Sequence, residues 1–143
     1  TPKDIYRSPQ NKFVAEFVGR NNILTGIVSD VKKTKAKIET GSGVFSVILE
    51  NNSLKKGEQA SFVISADLVH LSTSEPKTDN TVYCKLISEE FVGSMVTLFL
   101  EDQNNHEFKV QMQERELSKF ELKPGSKIWL SWSLKSTHLL EVN

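Results

Sequence analysis

Two hydrophobic rhythms divide this chain. Up to Gly19 the spacing is helical: Thr1 can cap a short helix with Pro2 at its first position, Asp4 where a capping-box acid sits, and Pro9 at its end. Asn11 can cap a second helix, in which Phe13, Val14, Phe17 and Val18 share a face and Gly19 supplies the left-handed stop. That apolar stripe has two readings, packing on the chain's own domain or docking a neighbouring one, and Phe13 and Phe17 are its interface candidates. Beyond Gly19 the period falls to two, the mark of half-buried strands. Strands are expected at Ile23–Val31, Ala36–Thr40, Val44–Leu49, Ala60–Ile64 and Leu68–Leu71. A second series follows at Val82–Ile87, Met95–Leu100, Phe108–Met112, Ile128–Trp132 and Leu139–Val142. Gly41-Ser42-Gly43 suits a tight hairpin because glycine accepts positive φ, and Asn51-Asn52-Ser53 and Lys56-Gly57-Glu58 are also turn-rich. Ser72 to Asn80, with Pro76 and no apolar pattern, reads as a linker or long loop.

The two strand series match one another. Leu54-Lys55-Lys56-Gly57 aligns with Leu122-Lys123-Pro124-Gly125, and at the same offset (125 − 57 = 68) Phe62 meets Leu130, Ile64 meets Trp132, His70 meets His138 and Leu71 meets Leu139. Ungapped agreement of apolar with apolar positions predicts an internal repeat, and the strand spacing predicts small barrels or sandwiches in a mainly β protein. Gly57 and Gly125 should then occupy equivalent turns. Alternation along the Ile128–Trp132 strand puts Leu130 and Trp132 on one face and Trp129 on the other. Trp132, aligned with Ile64, is assigned to the core. Trp129, aligned with Ser61, faces outward, where either an interface or the chain's own loop or lead-in covers it.

Composition narrows the function. A chain of 143 residues can bury about two-thirds of its unfolded surface, and 38% hydrophobic with 25% charged residues is a globular composition. Eighteen basic residues cancel eighteen acidic ones, which removes the long-range attraction for a phosphate backbone or an anionic membrane. The basic run Lys32, Lys33, Lys35 and Lys37 reads as a charged hairpin edge rather than a nucleic-acid groove, so no nucleic-acid partner is expected. Cys84 is the sole cysteine, which excludes an internal disulfide and suits a reducing compartment. No apolar run approaches the roughly 20 residues that span a bilayer. Thr1 rather than Met opens the sequence on a helix-cap signature, and an excised piece of a longer chain is expected.

Two stretches carry a family resemblance. Thr1-Pro2-Lys3-Asp4-Ile5-Tyr6-Arg7-Ser8-Pro9-Gln10-Asn11-Lys12-Phe13-Val14-Ala15-Glu16-Phe17-Val18-Gly19 resembles the segment that leaves the ATPase domain of ABC importers, and Asn22 to Val28 is similar to the first strand after it. Glu90-Phe91-Val92-Gly93-Ser94, then Lys123-Pro124-Gly125 and Leu130-Ser131-Trp132, resembles the course of the transport-associated OB (TOBE) domain. The resemblance implies OB-like barrels behind a helical lead-in: residues 1–19 as the tail of an absent nucleotide-binding domain, 20–75 as a first unit and 81–143 as a TOBE-type second unit. Gly19, Gly93, Gly125 and Trp132 hold the family's structural positions. The implied role is regulation and dimerisation for an importer ATPase of the polyamine or ferric-iron type, at the cytoplasmic face of the membrane. The implied partners are the upstream nucleotide-binding domain, a second copy of the subunit, and a permease. Val63-Ile64-Ser65-Ala66-Asp67 keeps only the first valine and the acid of the family's V-R-P-E-D, so no role of that arginine and glutamate transfers. The competing class is a free-standing OB-like module that binds a small anion or oligonucleotide.

Catalytic chemistry is not signalled. ATP hydrolysis needs a Gly-rich loop ending in Gly-Lys-Ser/Thr, and none of the seven glycines is followed by lysine. ATP and magnesium therefore belong to the upstream domain that the resemblance implies, and no catalytic or cofactor residue is assigned. His70, His106 and His138 lack metal-ligand spacing, and Cys84 lies in an apolar strand as a small buried hydrophobe, so no metal site is assigned. Glu89-Glu90 reads as a solvated pair flanking a turn.

Overall fold

The computed structural model describes residues 21–50 and 53–140. The expected helices, with Phe13, Phe17 and Gly19, lie outside the described residues. The first strand series becomes β1 (Asn21–Val31), β2 (Lys35–Thr40), β3 (Gly43–Ile48), β4 (Gln59–Ser65) and β5 (His70–Ser72). The second becomes β6 (Thr81–Val92), β7 (Met95–Glu101), β8 (Glu107–Gln113), β9 (Lys127–Ser131) and β10 (His138–Leu140). A short helix, α1 (Glu114–Leu117), joins β8 to β9 and has no counterpart among the expected elements.

The strands form two five-stranded antiparallel sheets, ordered β10-β4-β1-β2-β3 and β5-β9-β6-β7-β8. Each sheet takes four strands from one unit and its fifth from the other. Leu139 of β10 pairs with Phe62 of β4, and Leu71 of β5 pairs with Leu130 of β9. Strand β10 also lies against β3, so the first sheet curls back on itself in the manner of a small barrel. The repeat is real down to its irregularities. A bulge interrupts β1 after Val28 and β6 after Leu86, and the amides of Gly57 and Gly125 each bond the carbonyl of that bulge residue at 2.8 Å. Both glycines have φ +95°, a conformation closed to most side chains, in equivalent turns.

The chain changes sheet twice, at Ala66–Leu68 and at Leu134–Ser136, and both crossings are single turns of 3-10 helix. The first corrects the strand expected over Leu68–Leu71: a strand cannot leave its own sheet and enter another without a bend, so β5 starts only at His70. His70 and His138 open β5 and β10 and are exposed. Glu89 and Glu90 do not flank a turn. They lie inside β6, which runs to Val92 because Val96 and Leu98 of β7 bury their side chains and hold the hairpin together. The lysine run is not a sheet edge either, since β2, which carries Lys35 and Lys37, is flanked by β1 and β3.

One hydrophobic core spans both sheets, with Phe62, Ile64, Leu130 and Trp132 at or below 1% exposure. At its margins two buried asparagines tie each unit to the other. Asn80 accepts the Ser46 N–H at 2.8 Å and donates to the Ser46 carbonyl at 3.0 Å, satisfying the open edge of β3. Asn22 treats Lys109 of β8 in the same way, at 2.7 Å and 2.9 Å. A buried peptide group without a partner is costly, so these amides replace the strand that each edge lacks. Asn80→Ala is expected to lower stability by about 1–3 kcal/mol, because it strands both Ser46 backbone groups. Urea unfolding followed by tryptophan fluorescence measures it.

Candidate functional site

Trp132 sits at the middle of an aromatic cluster drawn from both units. Its indole lies 5.0 Å from the Phe45 ring of β3 and 6.2 Å from the Phe108 ring of β8. Phe45 in turn meets Phe62 edge-on at 6.2 Å. Trp132 Nε1 is buried without a hydrogen-bond partner, so the residue contributes by ring packing. Trp129 points the other way, as alternation requires. It is half-buried on the outer face of the second sheet, opposite Tyr83 on β6, with the rings 4.8 Å apart. Gly93 forms the β6–β7 turn with φ +61°. Among the described candidates, Gly93, Gly125, Trp129 and Trp132 therefore stand at separate points and do not make one cluster.

The polar chemistry collects elsewhere, where the β2–β3 turn of the first unit meets the β7–β8 loop of the second. The Asn104 amide donates to the Gly41 carbonyl at 2.7 Å, and the Ser42 hydroxyl lies 3.1 Å from His106 Nδ1. Gly41 is pressed so close that a Cβ there would stand 2.3 Å from the His106 ring. Asp102 organises the loop, its Oδ1 accepting the N–H groups of Asn104 and His106, each at 2.9 Å. Burial on its own raises this carboxyl. The Ser42 hydroxyl, those two backbone N–H groups and the nearby His106 outweigh it and hold the pKa below the usual carboxylate range. Although the Ser42 hydroxyl is near enough to favour the anion, Oδ2 accepts no hydrogen bond, and His106 Nδ1 stands off at 3.5 Å. Ser42 and Asp102 both approach the same ring nitrogen, so the three do not form a nucleophile–base–orienter relay.

A cleft of about 410 Å³ opens beside Asp102, at the end of β7, lined by Tyr83, Lys85, Glu101, Gln103, Asn105 and Lys127. A second, of about 270 Å³, lies beside the β2–β3 turn between Thr25, Ser42 and His106. Cys84 backs the larger cleft. Burial, aided by the Asp102 carboxylate, pushes its thiol up to about 12, which makes it inert as a nucleophile at neutral pH. Among the described residues no group of His, Cys, Asp and Glu has the arrangement of a metal site. The roles of Asn22, Asn80 and Asp102 escaped the sequence reading because isolated polar residues, whether at the start of a strand or in a turn-rich segment, carry no spacing signal.

Comparison with known proteins decides the family. The TOBE domain matches residues 62–140, a segment that runs from β4 through β10 and holds Gly93, Gly125, Trp129 and Trp132. The chain belongs to the TOBE domain family. As a TOBE-domain chain it is similar to the spermidine/putrescine import ATP-binding protein PotA of Fusobacterium nucleatum, 25% identical across 99% of this chain and 41% of that protein. The same protein of Clostridium acetobutylicum is 33% identical across 73% of this chain and 27% of its own length. The maltose/maltodextrin import ATP-binding protein MalK of Vibrio parahaemolyticus is 26% identical across 69% of this chain and 28% of its own. The chain thus spans about two-fifths or less of these relatives. Among solved structures, the cytoplasmic molybdate-binding protein ModG, with molybdate bound, superposes with a TM-score of 0.76 at 19% identity, over 84% of this chain and 95% of that one. That likeness is one of fold: mainly β, OB-like, in two related units.

Truncating the two tryptophans should separate the core from the outer face. Trp132→Ala is expected to cost about 3–5 kcal/mol, because it empties the centre of a four-ring cluster. Trp129→Ala, which loses one ring contact beside solvent, is expected to cost about 1 kcal/mol. Paired thermal melts of the two variants check the ranking.

Proposed function

We propose that this TOBE-family chain is the regulatory and assembly region of an ABC-importer ATP-binding subunit, outside the part that binds and hydrolyses ATP. The observation that carries the reading is the match of nearly the whole chain, 99%, to 41% of an import ATP-binding protein, with the Gly-Lys-Ser/Thr phosphate loop found nowhere in the sequence. In this reading the parent subunit works as a homodimer beneath a permease at the cytoplasmic face of the membrane, and its solute is a polyamine. Strand exchange supports a role in transmission, since a push on one sheet must move strands of the other. Trp129, half-buried on the outer face of the second sheet, is the aromatic taken for a dimer contact. Trp129→Ala would then weaken self-association in sedimentation with little loss of stability.

The isolated chain is expected to bind no magnesium-ATP in isothermal titration. Micromolar affinity would overturn the assignment of nucleotide chemistry to another part of the parent. The reading frame ahead of the Thr1 codon tests the parent itself: Gly-x-x-x-x-Gly-Lys-Ser/Thr there supports the proposal, and a frame that starts at Thr1 ends it. The second reading, a free-standing binding module for a small anion, is favoured by one observation, that ModG is matched over 95% of its own chain. Titration with molybdate separates it from the first.

A further inference from the structure

The two units exchange their last strands by one rule. His70, Leu71 and Ser72 of β5 meet Ser131, Leu130 and Trp129 of β9, and His138, Leu139 and Leu140 of β10 meet Val63, Phe62 and Ser61 of β4. Donors and acceptors both differ by the offset of the repeat (139 − 71 = 68; 130 − 62 = 68), so the register is the same in either direction. The asparagine clamps are reciprocal in the same way, Asn22 on Lys109 and Asn80 on Ser46. Recognition between units therefore resides in the two edges, and an edge accepts its strand whichever chain supplies it.

The connection at 73–80 is what keeps the exchange inside one chain. Strands β5 and β6 are both antiparallel to β9 and lie on its two flanks, so they run parallel to one another. Ser72 lies opposite Trp129 and Thr81 opposite Ser131, which sets the ends to be joined about 10 Å apart across β9 and about 7 Å back along it. Eight residues make this return. Crossings between parallel strands ordinarily take about a dozen residues or more, and short hinge loops invite exchange between copies. Little fastens the loop in its closed course. Thr73, Ser74, Glu75, Lys77, Thr78 and Asp79 are exposed, and the hydroxyls of Ser72 and Thr78 donate to the carbonyls of Ser74 and Asn80, within the loop itself.

We propose that two copies of this chain exchange units through an opened 73–80 loop. The first unit of each copy then seats on the second unit of the other, with β5, β10 and both asparagines in the register of the closed chain. Every contact between units recurs in such a dimer, and the loops no longer turn back across β9. The closed chain prevails when dilute, because its own second unit is tethered nearby, and holding two copies close together shifts the balance toward exchange. The exchange rests on strand pairing and not on the importer reading, and either can fail without the other.

Sedimentation of the whole chain, refolded from urea at about 1 mM, is the test. A dimer is expected that persists for hours after dilution to about 1 μM, because separation requires β5 and β10 to leave their sheets. Deleting Ser74 to Thr78 leaves Thr73, Asp79 and Asn80, which reach about 14 Å at full stretch against a direct span of about 12 Å and cannot also arch over β9. The shortened chain is expected to be mostly dimeric at about 10 μM. Lengthening the loop by about ten Gly and Ser residues relaxes the crossing and is expected to lower the dimer fraction about tenfold. A wild-type chain that stays monomeric throughout overturns the proposal, as does a folded, monomeric shortened chain. So does a dimer that ignores loop length or separates within seconds of dilution, which is how a surface contact at Trp129 behaves. Should the shortened chain fail to fold, the wild-type and lengthened chains decide alone.

Discussion

Strand β10 belongs by sequence to the second unit and by pairing to the first, and β5 makes the reciprocal exchange. The rest of the structure depends on this crossing. Without β10, the edge of β4 loses its partner over Ser61 to Val63, and β3 loses the strand that lies against it. Without β5, β9 is open over Trp129 to Ser131. An open edge in a small sheet exposes backbone donors and acceptors together with one margin of the core. Folding of either unit therefore requires that the other be present, and the apolar surface buried by the pair forms one cluster instead of two.

The exchange also explains the placement of the polar residues inside. Strands β3 and β8 end their sheets, and among the described residues neither has a sixth strand beside it. Asn80 and Asn22, each at the entry to its unit's first long strand, reach across and satisfy the edge of the opposite unit. Thr137 adds a third contact by accepting the Ile48 N–H at 3.0 Å, just after the second crossing turn. Each device works only because the partner unit is fixed nearby by an exchanged strand. Packing and hydrogen bonding thus enforce the same arrangement.

The strands, the repeat, the core position of Trp132 and the outward direction of Trp129 were all legible from period and offset. The exchange was not, because Leu71 and Leu139 carry the same apolar pattern whichever sheet receives them. The repeat itself was visible only from residue 54 onward, for a geometric reason. Val28 and Leu86 are equivalent at an offset of 58 (86 − 28 = 58), and Phe45 and Phe108 at 63 (108 − 45 = 63), against 68 for β4 and β9. The longer β6–β7 hairpin and the α1 connection insert residues that break any ungapped comparison. The extension of β6 to Val92 was hidden because Glu89 and Glu90 resemble turn residues, while the burial that holds them in a strand is on β7. The Asp102 cleft is assembled from β6, β9 and a loop, and no local stretch of sequence contains it.

The two units sort the sequence into what the backbone demands and what it leaves free. Where they agree, in the glycine turns, the bulges, the edge-capping asparagines and the alternating core, a single physical requirement has been met twice. The same architecture superposes at a TM-score of 0.76 on a protein of 19% identity. Where the units differ, the backbone accepts more than one residue, as Ile64 and Trp132 show at equivalent core positions. Tyr83, Lys85, Asp102, Lys127 and Trp129 all fall in that second group and all lie around one end of one sheet. Asp102 among them is buried and answered from within the molecule, its Oδ1 accepting two backbone N–H groups and His106 Nδ1 standing 3.5 Å from its Oδ2.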